Sequence, residues 1–239
     1  MYRIGYLNGE NVNNKMKSQK YKAIAKAIQS YDGFFLSEVS PDGVVDRLIA
    51  DTKQEAFYGS GRTFEHTIWF FGKPGVFKAG PNTTKYDGTM TFTGGSYERY
   101  ACVRYRGVSL FGVHMKKRVE EYGDAAESLN VLVRGMKDLK AQAALLSNVL
   151  EHTGRAVVVG DFNANHDDRI VKILDKSPDW RRNIRHNRRD VDHCFTKDVR
   201  VDCTLEPFRH SDHPLISVTV GTSSWRKRTL SDMMSKLRW

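Results

Sequence analysis

Short apolar runs that stop on an acidic, amide or histidine side chain recur along this chain, and they constrain its fold more than any other feature. Tyr2 to Leu7 ends at Asn8, with Glu10 close behind, and Phe34-Phe35-Leu36 is followed by Ser37 and Glu38. Phe111-Gly112-Val113 delivers His114, and Val157-Val158-Val159 stops in Gly160-Asp161-Phe162-Asn163. Asp190-Val191-Asp192-His193 heads a further apolar run, and Ser211-Asp212-His213-Pro214 precedes another. Runs of this length, rich in β-branched and aromatic residues, read as strands. A polar group at the end of a strand lies on the rim of a sheet, where ligands of α/β folds collect.

The remaining periodicity fills in the layers. Tyr2 to Leu7 and Gly33 to Ser37 are separated by a helical segment, Lys17 to Tyr31, whose Tyr21, Ile24, Ala25 and Ile28 share one face, giving a strand-helix-strand opening. Ser40-Pro41-Asp42 predicts a helix start, with Ser40 as cap, for a helix carrying Val44, Val45, Leu48 and Ile49. Thr67 to Phe71, Val76 to Lys78, Tyr100 to Tyr105 and Val108 to His114 read as antiparallel meander strands. A long amphipathic pattern over Asp124 to Glu151 predicts a helix packed across a sheet, and a shorter helix is expected near Asp167 to Leu174. Ala156 to Val159, Val191 to Thr196, Arg200 to Glu206 and Leu215 to Val220 complete the strands. The order describes a four-layered α/β/β/α sandwich of two mainly antiparallel sheets with flanking helices. One domain over residues 1–220 is expected, followed by a polar linker, Gly221 to Ser224, within a basic tail over 221–239.

Composition narrows the function. A hydrophobic share of 40% in 239 residues supports a real core, and a net charge of +10 favours polyanions, because phosphate contacts release condensed counterions. No run approaches the roughly 18 apolar residues of a membrane span, and no signal-peptide apolar region is visible, so a cytoplasmic protein without membrane contact is expected. Cys102, Cys194 and Cys203 lack CxxC spacing, and their odd number suits reduced thiols better than a disulfide framework. Zinc and thiol catalysis are thereby disfavoured. Phosphodiester hydrolysis needs oxygen ligands for a hard cation, an activated water and donors for developing charge. The strand-end residues supply those types. Each pair alone is an ordinary surface dipeptide or turn; their order and shared placement at strand ends are informative.

The ordered set Asn8, Glu38, His114, Gly160-Asp161-Phe162-Asn163, Asp192 and Ser211-Asp212-His213 resembles the endonuclease/exonuclease/phosphatase superfamily, with the GDFN and SDH motifs the most specific. Within it, Gly61 to Phe70 looks like the deoxyribonuclease I stretch bearing the glutamate partner of a catalytic histidine, which implies Glu65 as partner of His114. The same branch implies Arg62 as a minor-groove residue and Arg99 as a phosphate contact. Ser37 and Leu7 depart from the glutamine and tryptophan frequent in the family. The resemblance implies a DNA endonuclease with low sequence preference and 5′-phosphate products. Glu38 and Asp212, with Asn8 nearby, would organise Mg²⁺ or Mn²⁺; His213, oriented by Asp192, would activate water. His114 with Glu65 would assist the leaving oxygen or bind the phosphate, and Asp161 and Asn163 would position nucleophile and phosphoryl oxygen. Basic runs flanking these motifs, with Lys116 after His114 and Arg181, Arg182, Arg185 and Arg188 in the loop before Asp190, are read as tracking the phosphate backbone. DNA is the expected partner, RNA the second polyanion, and no obligate protein partner is inferred. The competing readings are a phosphatase or phospholipase with the same centre, inositol-phosphate or sphingomyelinase-like, and a non-catalytic nucleic-acid-binding protein.

Overall fold

The computed structural model describes residues 1–40, 43–59, 67–81, 83–90, 100–115, 154–163, 171, 175, 180–184 and 191–224. Within them the chain forms β1 (Tyr2–Val12), α1 (Ser18–Gln29), β2 (Gly33–Val39), α2 (Val44–Thr52), β3 (Glu55–Gly59), β4 (Trp69–Gly72), β5 (Lys78–Ala79) and β6 (Thr83–Lys85). There follow β7 (Tyr100–Tyr105), β8 (Val108–His114), β9 (Arg155–Asp161), β10 (Trp180–Arg182), β11 (Asp192–Lys197), β12 (Val199–Glu206) and β13 (Leu215–Ser224). One sheet has the order β12-β13-β1-β2-β4-β3-β6 and the other β10-β11-β9-β8-β7-β5. Among the described residues only β1/β2 and β8/β9 pair in parallel, so both sheets are mainly antiparallel, as expected.

Side-chain alternation explains the layering. Ile4 and Tyr6 of β1, Phe35 of β2, Leu110 of β8, Val157 and Val159 of β9 and Val218 of β13 meet in one core between the sheets. Phe70 anchors that core, with ring centroids 4.7 Å from Phe35 and 4.8 Å from Phe77. The opposite faces of β1 and β2 present Leu7, Phe34 and Leu36 to Ile24 and Ile28 of α1 and Val45 and Leu48 of α2. Each fully buried side chain of this kind contributes about 1.5–3 kcal/mol. Phe111, Val113, Val158 and Phe195 make a third buried cluster on the outer face of the second sheet. The helices expected over Asp124 to Glu151 and Asp167 to Leu174 fall outside the described residues, apart from Val171, which joins that third cluster.

Three expectations are corrected. Helix α2 starts at Val44 after Gly43, whose left-handed φ of 87° makes the turn, and no side chain caps it; Ser40 instead donates its backbone N–H to Val12. Strand β13 runs through Gly221–Ser224, read from sequence as linker, because β12 continues beside it as far as the Val199–Ser224 pair. Arg181 and Arg182 belong to β10 rather than to a loop, and the Arg182 guanidinium lies 2.8 Å from Asp175.

Candidate active site

The strand directions bring the singled-out residues to one rim. The C-terminal ends of the parallel pairs β1/β2 and β8/β9 carry Asn8, Glu38, His114 and Asp161, with His114 and Asp161 in register. Strands β11 and β13 run antiparallel to β9 and β1, so their N-terminal ends arrive at the same place. Asp192 stands opposite Asp161, and the Tyr6–Ile216 register lays Ser211 to His213 over the end of β1. The first sheet thus supplies Asn8, Glu38, Asp212 and His213, and the second supplies His114, Asp161, Asn163 and Asp192.

Asn8 joins the two sheets. Its buried side-chain amide donates to Glu38 Oε1 at 3.0 Å and to Asp161 Oδ2 at 3.1 Å, while its oxygen accepts from the Glu10 N–H at 3.2 Å. Asp161, 1% exposed, also accepts from the Asn163 backbone N–H at 2.7 Å and its amide at 3.1 Å. The same Asn163 amide donates to the Met115 carbonyl at 2.6 Å. His213 Nδ1 is 3.0 Å from Asp192 Oδ2, and its Nε2 lies 3.6 Å from both Asp161 Oδ2 and Asp212 Oδ1. His114 Nε2 approaches Glu38 Oε1 at 3.6 Å and Asp161 Oδ2 at 3.7 Å. Eight of the residues read from sequence, Asp192 among them, therefore form one cluster. Glu65, Arg62, Arg99, Lys116, Arg185 and Arg188 lie outside the described residues.

The backbone departs from regular strand where it serves this cluster. Leu36 faces the helices, and strict alternation would send Glu38 the same way; a left-handed φ of 58° at Glu38 turns its carboxylate back to Asn8. Glu10, Asn11 and Asn163 have φ of 47°, 58° and 45°, and β1 shifts register against β2 between Asn8 and Val12. Such conformations cost on the order of 1–3 kcal/mol each and concentrate at functional sites. The motif glycine has its own reason: a Cβ at Gly160 would sit 1.9 Å from the Val113 carbonyl oxygen.

Sequence reasoning left three contributors without a role. Ser211 Oγ donates to the Asn8 carbonyl at 2.8 Å and accepts the His213 N–H at 3.1 Å, tying the SDH turn to β1. Tyr6, two residues before Asn8 on the same face, shares a buried hydroxyl contact of 3.0 Å with Ser37. Glu10 lies against Asp212, and burial, then that contact, push its carboxyl above the usual range. The period of two would have found Tyr6; the other two depend on turns that carry no periodicity.

Charge is concentrated here. Burial, reinforced by the Asp192 charge, pushes Asp161 up to about 7. Burial alone would lower His213, but the hydrogen bond and charge of Asp192, then Asp161 and Asp212, outweigh it and raise the ring to about 9. Asp161, Asp192 and His213 each place one ligand atom within 4.8 Å of the others. Carboxylates crowded until one resists ionisation, with only oxygen and imidazole donors among them, suit a hard divalent cation.

A rim of paired carboxylates, amides and two histidines between stacked sheets is the arrangement of a phosphoester hydrolase, and comparison agrees. The chain belongs to the Endonuclease/Exonuclease/phosphatase family, whose model matches residues 11–213. The family is hydrolytic and mostly metal-dependent. Similar solved structures include a mannosyl-6-phosphatase of Bacteroides thetaiotaomicron, with TM-score 0.59 at 12% identity, covering 92% of this chain and 100% of that one. D. rerio TDP2 humanized by 14 mutations has TM-score 0.58 at 16% identity, covering 92% and 99%. The human Nocturnin catalytic domain with a bound sulfate anion has TM-score 0.57 at 14% identity, covering 92% and 94%. At these identities the likeness is one of fold. No curated protein matches by sequence.

Proposed function

We propose that this chain is a divalent-metal-dependent endonuclease that hydrolyses DNA phosphodiester bonds with little sequence preference, leaving 5′-phosphates. The observation that carries the reading is the His213–Asp192 pair set beside the Asn8–Glu38–Asp161 network at one rim. Glu38 and Asp212, with Asn8 holding Glu38 in place, are the residues for Mg²⁺ or Mn²⁺. That cation supplies Lewis acidity and charge neutralisation when bound.

The protein's own groups account for the rest. Asp192 engages His213 Nδ1 and leaves Nε2 facing the site; once a neighbouring cation's charge or alkaline pH has left the ring neutral, it takes a proton from water at Nε2, and the resulting imidazolium is stabilised by the carboxylates around it. Asp161 and Asn163 position nucleophile and phosphoryl oxygen, each fixed by the hydrogen bonds between them. His114, backed by Glu65, assists the leaving oxygen. Arg62, Arg99, Lys116, Arg185 and Arg188 hold the phosphate backbone.

DNA, rather than a small phosphoester, is supported by the charge of +10 and by basic residues flanking the motifs. We place the activity in the cytoplasm; among the described residues no helix is long and apolar enough to cross a membrane. The test is incubation of supercoiled plasmid with Mg²⁺, Mn²⁺, Ca²⁺ or EDTA, with His213→Ala as control. Metal-dependent nicking lost in the variant is expected. Intact plasmid under every metal, with phosphate released from a sugar phosphate, would move the assignment to the phosphatases.

A further inference from the structure

Two of the three cysteines, nine residues apart in sequence, meet across the interface between the sheets. Cys194 sits on β11 in the second sheet and Cys203 on β12 in the first, with their sulfurs 2.8 Å apart. All three cysteines are free thiols. A disulfide bond is about 2.05 Å long, so closing this one requires less than about 1 Å of movement. Burial pushes the Cys194 thiol well above its ordinary range, so the more exposed Cys203 is the sulfur that an oxidant meets first. Cys194 is wholly buried in the inter-sheet core, whereas Cys203 is half-buried on the first sheet's edge strand, within reach of a small oxidant. Cys102 is buried on the outer face of the second sheet, in a different cluster.

The position also matters. Alternation places Cys194 on the face of β11 that carries Asp192, two residues before it. Strand β12 pairs with β13 through Cys203–Val218, and β13 begins just after His213. A covalent link here would join the strand bearing Asp192 to the sheet that carries His213.

We propose that Cys194 and Cys203 are a redox-active dithiol that a peroxide converts to an intramolecular disulfide, clamping the two sheets together behind the His213–Asp192 pair. The Cys203 sulfur attacks a peroxide oxygen, giving a sulfenic acid and, from hydrogen peroxide, one water. The Cys194 sulfur then attacks the Cys203 sulfur and displaces hydroxide, which leaves as water with the Cys194 proton. A dithiol reductant reverses the change. Transient disulfides of this kind are the form found in reducing compartments.

The experiment treats the full-length protein with hydrogen peroxide, blocks remaining thiols by alkylation, and reads the intact mass, the tryptic map and the thermal midpoint. Cleavage after Lys197 and Arg200 separates the two cysteines, so a crosslinked peptide identifies their bond. The expected result is loss of two hydrogens, Cys102 alkylated and a Cys194–Cys203 crosslink. The midpoint should rise by roughly 5–10 °C, as closing a short loop predicts, and return with dithiothreitol. The crosslink should persist in Cys102→Ser and vanish in Cys203→Ser. A treated protein in which Cys194 remains alkylatable, or in which Cys203 goes on to sulfinic acid without pairing, overturns the proposal. This readout is independent of nuclease activity.

Discussion

Replacing Asp192 by Asn tests whether that carboxylate sets the chemistry of His213. In the folded protein the ring is raised from its ordinary 6.5 to about 9. At roughly 1.4 kcal/mol per pH unit, that difference amounts to about 3 kcal/mol of preference for the charged ring. The His213 side chain is 17% exposed, and solvent screening trims the figure to on the order of 2 kcal/mol. Because the folded-state pKa is raised, this stabilisation is complete below 6.5 and is lost as pH rises through about 9. In EDTA, Asp192→Asn should therefore melt about 4–8 °C below the parent at acid to neutral pH. The gap should close toward alkaline pH, where removing the repulsion with Asp161 also favours the variant. The His213 ring, followed by NMR, should titrate near or below its ordinary value, since burial is then opposed only by Asp161 and Asp212. Plasmid nicking should fall by about 10²–10⁴-fold, the usual worth of a positioned acid–base group. A His213 ring that still titrates near 9 in the variant would refute the assignment of the shift to Asp192.

Asp161→Asn should raise the thermal midpoint of the EDTA-treated protein at pH 8 while abolishing nicking. The raised carboxyl stabilises the fold only in acid, and its contribution disappears as pH climbs from 3.8 through about 7; an unchanged midpoint with full activity would count against both roles. Magnesium should raise the midpoint of the parent and release protons near neutral pH, measurable by calorimetry in buffers of different ionisation enthalpy, and no proton release would remove Asp161 from the cation's surroundings. Asn8→Ala deletes the donor shared by Glu38 and Asp161, and nicking should drop by on the order of a hundredfold with little change in substrate KM. Gly160→Ala forces a Cβ onto the Val113 carbonyl and should destabilise by about 2–4 kcal/mol, read by urea unfolding.

The parts of the fold legible in sequence are those where burial imposes a period. Strands β1, β2, β8 and β9 are apolar on both faces because one face meets the other sheet and the opposite face is covered too, so Phe34-Phe35-Leu36 and Val157-Val158-Val159 announce themselves. Strand β10, Trp-Arg-Arg, lies at the edge of the second sheet, where one buried side chain suffices, and its arginines read as surface. The same limit governs the site. Asn8, Asp161 and Asp192 continue the inward-facing register of their strands and could be placed from sequence order. Glu38 is found by its place at a strand end and by the motif order, not by register, since the register of β2 points it toward the helices and only the left-handed turn reverses it.

That reversal explains how two independent sheets hold one reactive cluster. A regular strand end offers one inward residue per strand, too few ligands for a cation and a water at once. Left-handed residues at Glu10, Asn11, Glu38 and Asn163, with the register shift after Asn8, add side chains to the rim without moving the strands beneath. Their cost is carried by the inter-sheet core of Tyr6, Phe35, Phe70, Leu110 and Val159, whose burial does not depend on the rim. A consequence follows for engineering: substitutions that relax these turns, such as Asn11→Gly, should stabilise the metal-free fold by about 0.5–1 kcal/mol while loosening Glu38 and Glu10 and lowering activity. Gain of both stability and rate in Asn11→Gly, measured by urea unfolding and plasmid nicking, would show that the strained turn does not serve the site.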